Sequence, residues 1–231
     1  MRNPFFFGAH LDAVFQGILN MKRIGILAYG SLIDNPGPEL GPNTVAKIKD
    51  VYTPFMVEFA RKSQSRNYAP TLVPVTEGGA SVKGVILILR DGISETEAKN
   101  MLWRRETNCF DTRKIYQPHA NPSNNKVYAE PLEHFKGINV VYYTRIASNI
   151  QPLTPAHLAK LAIQSVSLKK KDQGRDGMSY LINAKANGIQ TPLMPAYEQE
   201  ILQRMNAKNL EEALSSQINL LKENAGSSRA K

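Results

Sequence analysis

Short apolar runs separated by turn-forming residues dominate the first 145 residues of the chain. The run Ile24–Ala28 is apolar throughout and breaks at Gly30, which is typical of a buried strand. A second apolar run predicts a buried strand over 82–89, and Gly84 within it indicates close approach of a neighbouring backbone. Further strands are predicted at 51–60, with Pro54 marking an edge or a bend, and at 114–117, 126–129 and 138–144.

Capping signals mark several helices, most of which follow residue 150. Ser94 with Glu97 forms a capping box, in which the hydroxyl and the carboxylate each satisfy a free backbone amide. Thr154 precedes Pro155 and is typical of an N-cap, and Asn209 with Glu212 repeats the capping pattern. Helices are therefore predicted at 95–106, from 154 onward, at 179–187, at 196–205 and at 210–222.

Strands followed by helices predict an α+β fold, with a mostly antiparallel or barrel-like sheet and helices at one end and side. Composition does not shift enough along the chain to divide the main body. We expect an N-terminal extension over residues 1–20, one domain over 21–224, and a small, polar, disordered tail over 225–231.

Composition narrows the function classes. The longest aliphatic run, at 85–89, is too short to cross a bilayer, so we expect a soluble protein with no membrane partner. One cysteine, Cys109, excludes an internal disulfide and fits a reducing compartment such as the cytoplasm. The net charge of +9 favours anionic partners. The one dense cluster of positive charge, the three lysines at 169–171, is followed directly by the acidic Asp172, and the sequence contains no nucleic-acid-binding motif. We interpret this lysine cluster as part of the solvated surface, and we do not expect a nucleic-acid partner.

Familiar catalytic and metal-binding patterns are missing from the sequence. It contains no zinc-protease motif, no Cys/His metal pattern, no nucleophile elbow and no phosphate-binding loop. The four histidines, His10, His119, His134 and His157, are dispersed, so no metal site is expected. Cys109 has no neighbour that would activate a thiolate, and a semi-buried structural role is expected for it.

Two local features remain as candidates for chemistry. The first strand runs into Tyr29, Gly30, Ser31 and Leu32, and amides exposed by such a tight turn can bind a carboxylate or an oxyanion. Glu106 closes the helix over 95–106, where the helix dipole disfavours a negative charge and so favours proton exchange. Arg105 opposes this effect if its guanidinium turns the same way. On their own, these features are read more readily as an ordinary turn and a surface charge cluster.

Three motifs in order make the chain resemble the γ-glutamylcyclotransferase-like superfamily, which includes γ-glutamylamine cyclotransferases and ChaC-type glutathione-degrading enzymes. The motifs are Leu-Ala-Tyr-Gly-Ser-Leu at 27–32, Val-Lys-Gly-Val at 82–85 with Leu-Trp-Arg-Arg-Glu at 102–106, and Tyr-Leu-Ile at 180–182 with Gly-Ile at 188–189, Pro192 and Tyr197. Together they span residues 24–202. The sequence departs from the family pattern at Trp103, at 107–110 and in a longer helical insert over 154–171.

The resemblance implies a mixed β-barrel with flanking helices and an enzyme that releases 5-oxoproline from a γ-glutamyl amide or peptide, as in glutathione metabolism. It implies Glu106 as the catalytic acid/base. It also implies that Tyr29, Gly30, Ser31, Leu32 and Tyr197 bind a small γ-glutamyl substrate. Neither a metal nor an organic cofactor is implied, because the substrate carries its own nucleophile and its ring closure is entropically assisted.

Two other functions fit the sequence. A non-catalytic protein of the same fold could use the cavity to bind a small carboxylate ligand, since a fold does not guarantee its chemistry. A binder of anionic polymers could be built on the positive charge, and the salt dependence of binding would reveal it.

Overall fold

The computed structural model describes residues 22–118 and 125–227, which form an α+β fold, as the order of strands and helices predicts. The strands are β1 (Ile24–Ala28), β2 (Thr44–Tyr52), β3 (Met56–Ser63), β4 (Ala69–Val75), β5 (Lys83–Leu89), β6 (Tyr128–Glu133) and β7 (Val140–Arg145). The α-helices are α1 (Gly37–Asn43), α2 (Glu95–Thr107), α3 (Pro155–Gln164), α4 (Gly177–Ala186), α5 (Met194–Met205) and α6 (Leu210–Ser227). The predicted extension over residues 1–20 and the end of the predicted tail, 228–231, lie outside the described residues.

A mixed five-stranded sheet has the order β2-β5-β1-β7-β6. Its central strand β1 pairs antiparallel with β5 and parallel with β7. A Cβ added at Gly84 of β5 would lie 2.7 Å from the carbonyl oxygen of Ala28, so the close approach predicted at this glycine is confirmed. Because β1 is the central strand, the turn that follows it lies at the edge of the sheet between β5 and β7.

β3 and β4 form a separate antiparallel hairpin beside the larger sheet. Two connections hold it there. Val57 pairs with Ala80, just before β5, and the carbonyl oxygen of Ala60 accepts hydrogen bonds from the amides of Asn149 and Ile150 at 3.0 and 3.2 Å. The hairpin is therefore attached to segments next to both β5 and β7.

Helices cover the sheets in two groups, and the turn after β1 lies where their cores meet. α1 and α2 pack against the five-stranded sheet through residues such as Leu40 and Met101. Helices α3 to α6 pack around the hairpin, with Phe59 and Ile201 among their fully buried residues. Ile33, directly after the turn, contacts both cores.

The start of α2 is confirmed, but its capping box forms only in part. The Ser94 hydroxyl oxygen accepts a hydrogen bond from the Glu97 amide at 3.1 Å, and the helix begins at Glu95. The Glu97 carboxylate does not return to the Ser94 amide, because it accepts from Arg104 at 2.6 Å instead. Later caps are confirmed at Thr154 of α3 and at Asn209 of α6.

The predicted strand over 51–60 is divided into two. β2 ends at Tyr52 and β3 begins at Met56, and the two strands belong to different sheets. Pro54 lies between them and cannot donate to a ladder, so it marks a corner of the fold. β2 also reaches back to Thr44, which the apolar pattern did not predict.

The predicted strand over 114–117 is wrong, because side chains of α2 take the backbone hydrogen bonds of this segment. Arg104 donates to the Lys114 carbonyl oxygen at 2.9 Å, and the Tyr116 amide donates to Asn100 Oδ1 at 2.8 Å. These two backbone groups thus have side-chain partners in place of a neighbouring strand.

Two further elements, α1 and β4, contain prolines that are unusual in such elements and so were not predicted. α1 begins at Gly37 with Pro38 in its first turn, although the residues at 34–38 are turn formers typical of a loop. β4 carries Pro70 and Pro74 and was not predicted. α6 continues to Ser227, so it includes residues 225–227 at the start of the predicted tail. No helix in the part of the chain described here has the length and apolar character needed to cross a membrane.

Candidate functional site

A cavity of ≈ 750 Å³ opens beside the end of β1. Its walls come from the turn after β1, the C-terminal end of α2, the β3–β4 hairpin and the turn before α4. Glu106 lines this cavity together with Tyr29, Ser31 and Leu32. The structure thus brings the predicted acid/base and three residues of the predicted substrate-binding turn to one cavity, whose volume is typical of small-molecule sites.

Gly30 gives the turn its shape. Its φ of +73° lies in the left-handed region that favours glycine, and residues Gly30–Leu32 form a single turn of 3-10 helix. A Cβ at this position would lie 2.4 Å from the Tyr180 hydroxyl. Gly30 itself lines a smaller neighbouring cavity of ≈ 150 Å³, which Ser31 and Tyr180 share with the larger one.

Glu106 lies one residue before the end of α2, and its side chain is 25% exposed. Arg105 turns toward it and donates from Nη1 to Oε1 at 2.6 Å. Within the described residues, Oε2 has no hydrogen-bond partner. The carboxylate is therefore held by one oxygen, and its second oxygen is available to a ligand in the cavity.

Arg105 also connects the helix to the turn after β1. Its Nη2 donates to the carbonyl oxygen of Asn35 at 2.7 Å and contacts Ser31 Oγ at 3.3 Å. The same guanidinium thus fixes the position of Glu106 relative to the Tyr29–Leu32 turn.

Tyr29 forms part of the cavity wall, with its hydroxyl committed to the protein. The hydroxyl donates to the carbonyl oxygen of Thr144 on β7 at 2.5 Å. Burial raises the pKa of Tyr29 well above its ordinary value, and the negative charge of Glu106 raises it further. The phenol therefore stays neutral, and the Glu106 carboxylate lies close enough to affect it.

Tyr180 of α4 occupies the inner side of the turn. Its hydroxyl hydrogen-bonds to the backbone of Leu72 and of Ser31, so the Ser31 backbone already has a protein partner. Burial raises the pKa of Tyr180, the charge of Arg66 opposes that rise, and the charge of Glu106 adds to it. Tyr180 is thus a neutral polar group between the turn, the hairpin and α4.

Several guanidinium groups line the same cavity. Arg66 follows β3, and its guanidinium carbon lies 4.9 Å from the centre of the Tyr180 ring, a cation–π distance. Burial lowers the pKa of Arg66, and the charges of Arg105 and Arg175 lower it further. Arg61 also lines the cavity and donates to the Ala147 carbonyl oxygen at 2.7 Å.

Arg104 organises the base of the cavity. Its side chain is 2% exposed and pairs with Glu39 of α1 and Glu97 of α2, at 2.6 Å in both cases. It also donates to the carbonyl oxygens of Thr112 and Lys114 at 3.3 and 2.9 Å. This one residue therefore links α1, α2 and the segment that follows α2.

The structure does not bring Tyr197 to the cavity. It lies on α5, is 0% exposed, and packs against Phe59 with ring centres 5.4 Å apart. Burial raises its pKa, and its hydroxyl has no hydrogen-bond partner among the described residues. Helical spacing places it inward with Met194 and Ile201, so its position serves packing and does not support substrate contact.

Cys109 is half-buried on the cavity wall, and its thiol contacts the carbonyl oxygen of Asp111 at 3.8 Å. His134 and His157 do not line the cavity, while His10 and His119 lie outside the described residues. Among residues 22–118 and 125–227, no three His, Cys, Asp or Glu side chains are grouped as metal ligands would be.

Sequence reasoning missed the arginines of the cavity. Arg66 and Arg175 lie in short turns before β4 and α4, with no motif around them. Their common location depends on how the hairpin and α4 pack, which no local pattern encodes. Arg105 was noted as a possible partner of Glu106, and its orientation is now known.

We compared the chain with models of known protein families and with curated protein sequences, and neither comparison produced a match.

Proposed function

We propose that this protein is a cyclotransferase that converts a γ-glutamyl amide or peptide into 5-oxoproline and a free amine. The observation that carries the proposal is the meeting of Glu106 with Tyr29, Ser31 and Leu32 at one cavity. Glu106 and the Tyr29–Leu32 turn come from separate segments of the chain, and the family resemblance assigns catalysis to the first and substrate binding to the second. The resemblance also implies a barrel-like sheet, and the attachment of the β3–β4 hairpin beside β5 and β7 supports that finer assignment.

Glu106 acts as the acid/base in this proposal. With Oε1 held by Arg105, Oε2 accepts a proton from the α-ammonium group of the substrate. The α-nitrogen then attacks the γ-carbonyl carbon and closes a five-membered ring. Two protons leave the α-nitrogen in all, one before the attack and one after it. Both end on the departing nitrogen when the γ-amide bond breaks, so the amine leaves as an ammonium ion and Glu106 is regenerated.

The turn after β1 holds the substrate. Amides of this turn other than that of Ser31 can meet the α-carboxylate or the developing oxyanion, as expected of a tight glycine turn. Tyr29 serves as a wall, because its hydroxyl already donates to Thr144. Arg105 positions Glu106 against this turn through its contacts with Ser31 and Asn35.

Release of 5-oxoproline tests the proposal. Purified protein is incubated with glutathione, a γ-glutamyl amino acid and γ-glutamyl-lysine, and the product is quantified by mass spectrometry. We expect release from at least one donor. No release from any of them would contradict the proposal.

A small-carboxylate binding protein is the second candidate. The ion pair between Arg105 and Glu106 favours it, because the protein already engages one oxygen of the carboxylate that the cyclotransferase reaction would use. Thermal stabilisation by 5-oxoproline without any turnover of γ-glutamyl donors would support this candidate.

A further inference from the structure

Part of the wall of the cavity beside Glu106 is apolar. Phe110, Val127 and Ile146 line it, from the segment after α2 and from the segments next to β6 and β7. Val127 and Ile146 lie directly beyond the last pair of the β6–β7 ladder, so they come from neighbouring segments. All three side chains belong to none of the hydrophobic cores that the described residues form. The cavity thus has apolar groups that the protein itself does not cover.

Phe110 stands out among these side chains. At 80% it is the most exposed large apolar residue of the described chain, and yet it lines the cavity. Water in contact with a phenyl ring is unfavourable, so a ligand that covers the ring gains free energy. The segment over 107–110 departs from the family pattern, and the family resemblance therefore assigns no role to this residue.

The end of α2 explains why Phe110 lies beside the cavity. Asn108 has a φ of 52°, in the left-handed region, and the Cys109 amide donates to the carbonyl oxygen of Arg104 at 2.8 Å. This arrangement ends the helix and turns the chain. Phe110 consequently lines the same cavity as Glu106 instead of continuing along the helix axis.

The apolar wall also adjoins the proposed reaction site from β7. Tyr29 donates to the carbonyl oxygen of Thr144, and Ile146 follows on the same segment. The guanidinium groups of Arg66 and Arg175 come from the β3–β4 hairpin and from the turn before α4, which are other parts of the wall. At ≈ 750 Å³ the cavity is larger than a γ-glutamyl group needs, so space remains for the amine portion of a substrate.

We infer that the amine released by this protein carries an apolar side chain, which packs against Phe110, Val127 and Ile146. The inference rests on the proposed cyclotransferase function and adds a substrate preference to it. An apolar side chain in this place leaves water together with the phenyl ring, and the gain raises kcat/KM.

Three matched substrates test the inference on the wild-type protein. γ-Glutamylleucine and γ-glutamylasparagine have side chains of nearly the same shape and differ in polarity, and γ-glutamylglycine has no side chain. All three carry the same carboxylate on the departing amine, so its charge does not affect the comparison. We expect kcat/KM for γ-glutamylleucine to exceed that for each of the other two by about 10- to 100-fold, the range for discrimination by an apolar site.

Substitutions locate the effect at Phe110. Phe110→Ala should lower kcat/KM for γ-glutamylleucine more than for γ-glutamylasparagine, which reduces the ratio of the two by about 10-fold, and Phe110→Leu should preserve most of that ratio. Ile115→Ala is the matched control, because Ile115 is 58% exposed on the same segment and does not line the cavity. It should leave the ratio unchanged. Phe110 is exposed, so urea denaturation of Phe110→Ala should show the stability of the wild type.

The outcomes separate this inference from the proposed function. Equal kcat/KM for γ-glutamylleucine and γ-glutamylasparagine would overturn the inference and leave cyclotransferase activity established. Equal ratios in Phe110→Ala and the wild type would also overturn it, because the preference would then arise elsewhere in the cavity. Absence of 5-oxoproline from all three substrates would contradict the proposed function, and the inference with it.

Discussion

Arg105 donates to the Glu106 carboxylate at 2.6 Å, and the same guanidinium contacts the turn that follows the first strand. These two adjacent residues at the end of α2 therefore have different roles. Glu106 faces the cavity, and Arg105 fixes its distance from Ser31. The pairing leaves one carboxylate oxygen without a partner among the described residues, and the proposed proton transfer uses that oxygen.

Gly30 and Tyr180 should show strong energetic coupling. Gly30→Ala should lower the free energy of unfolding by more than the about 1–2 kcal/mol expected for a left-handed backbone alone, because its Cβ would lie 2.4 Å from the Tyr180 hydroxyl. In the Tyr180→Phe background the nearest ring atom is Cζ at 3.5 Å, so the extra cost should disappear.

Urea denaturation of the four proteins of this cycle measures the coupling. Gly92→Ala is the matched control, since Gly92 has a φ of +84° and no atom within 4 Å of the added Cβ. Equal effects of Gly30→Ala in the wild-type and Tyr180→Phe backgrounds would contradict the packing described here.

Tyr197→Phe should leave 5-oxoproline release unchanged and keep or raise stability. The hydroxyl of Tyr197 is buried with no partner among the described residues, so its removal lifts a desolvation cost of about 1 kcal/mol. Tyr29→Phe is the comparison, because it loses the hydrogen bond to Thr144 and should destabilise the protein by about 1 kcal/mol. A large loss of activity in Tyr197→Phe would contradict this account and indicate that Tyr197 contacts the substrate.

Local signals predicted β1 and the start of α2 because each depends only on neighbouring residues, such as Gly30 or the Ser94 cap. The strand over 114–117 failed for the opposite reason, since side chains of α2 take its backbone hydrogen bonds. The same limit applies to the site. Glu106 and the turn at Tyr29 could be proposed from motifs, whereas Arg66 reaches the cavity only through the packing of the hairpin.

Arg104→Met should be among the most destabilising single substitutions in the protein. It leaves the carboxylates of Glu39 and Glu97 without their shared guanidinium, and breaking a buried pair costs about 3–5 kcal/mol. Because both carboxylates retain some exposure, we expect the lower end of that range. Arg204→Met removes a surface i,i+4 pair with Glu200 and should cost about 0.5 kcal/mol. Similar shifts for the two variants in urea denaturation would contradict this role of Arg104.

Cys109→Ser should leave turnover within a few fold of wild type. The thiol lies on the cavity wall and contacts only the Asp111 carbonyl oxygen among the described residues, a contact that a serine hydroxyl can also make. Complete inactivation of a folded Cys109→Ser variant would indicate thiol chemistry in place of acid/base catalysis by Glu106.

The rate of 5-oxoproline release by Glu106→Gln tests the central claim most directly. Glutamine keeps the shape of the side chain but cannot transfer a proton, so we predict a loss of at least about 10²-fold, while 5-oxoproline still raises the melting temperature. Glu198→Gln is the matched control, because Glu198 is 22% exposed and ion-paired with Lys185, as Glu106 is 25% exposed and paired with Arg105. It should retain wild-type turnover. Equal turnover by Glu106→Gln and Glu198→Gln would contradict the assignment of Glu106 as the catalytic acid/base.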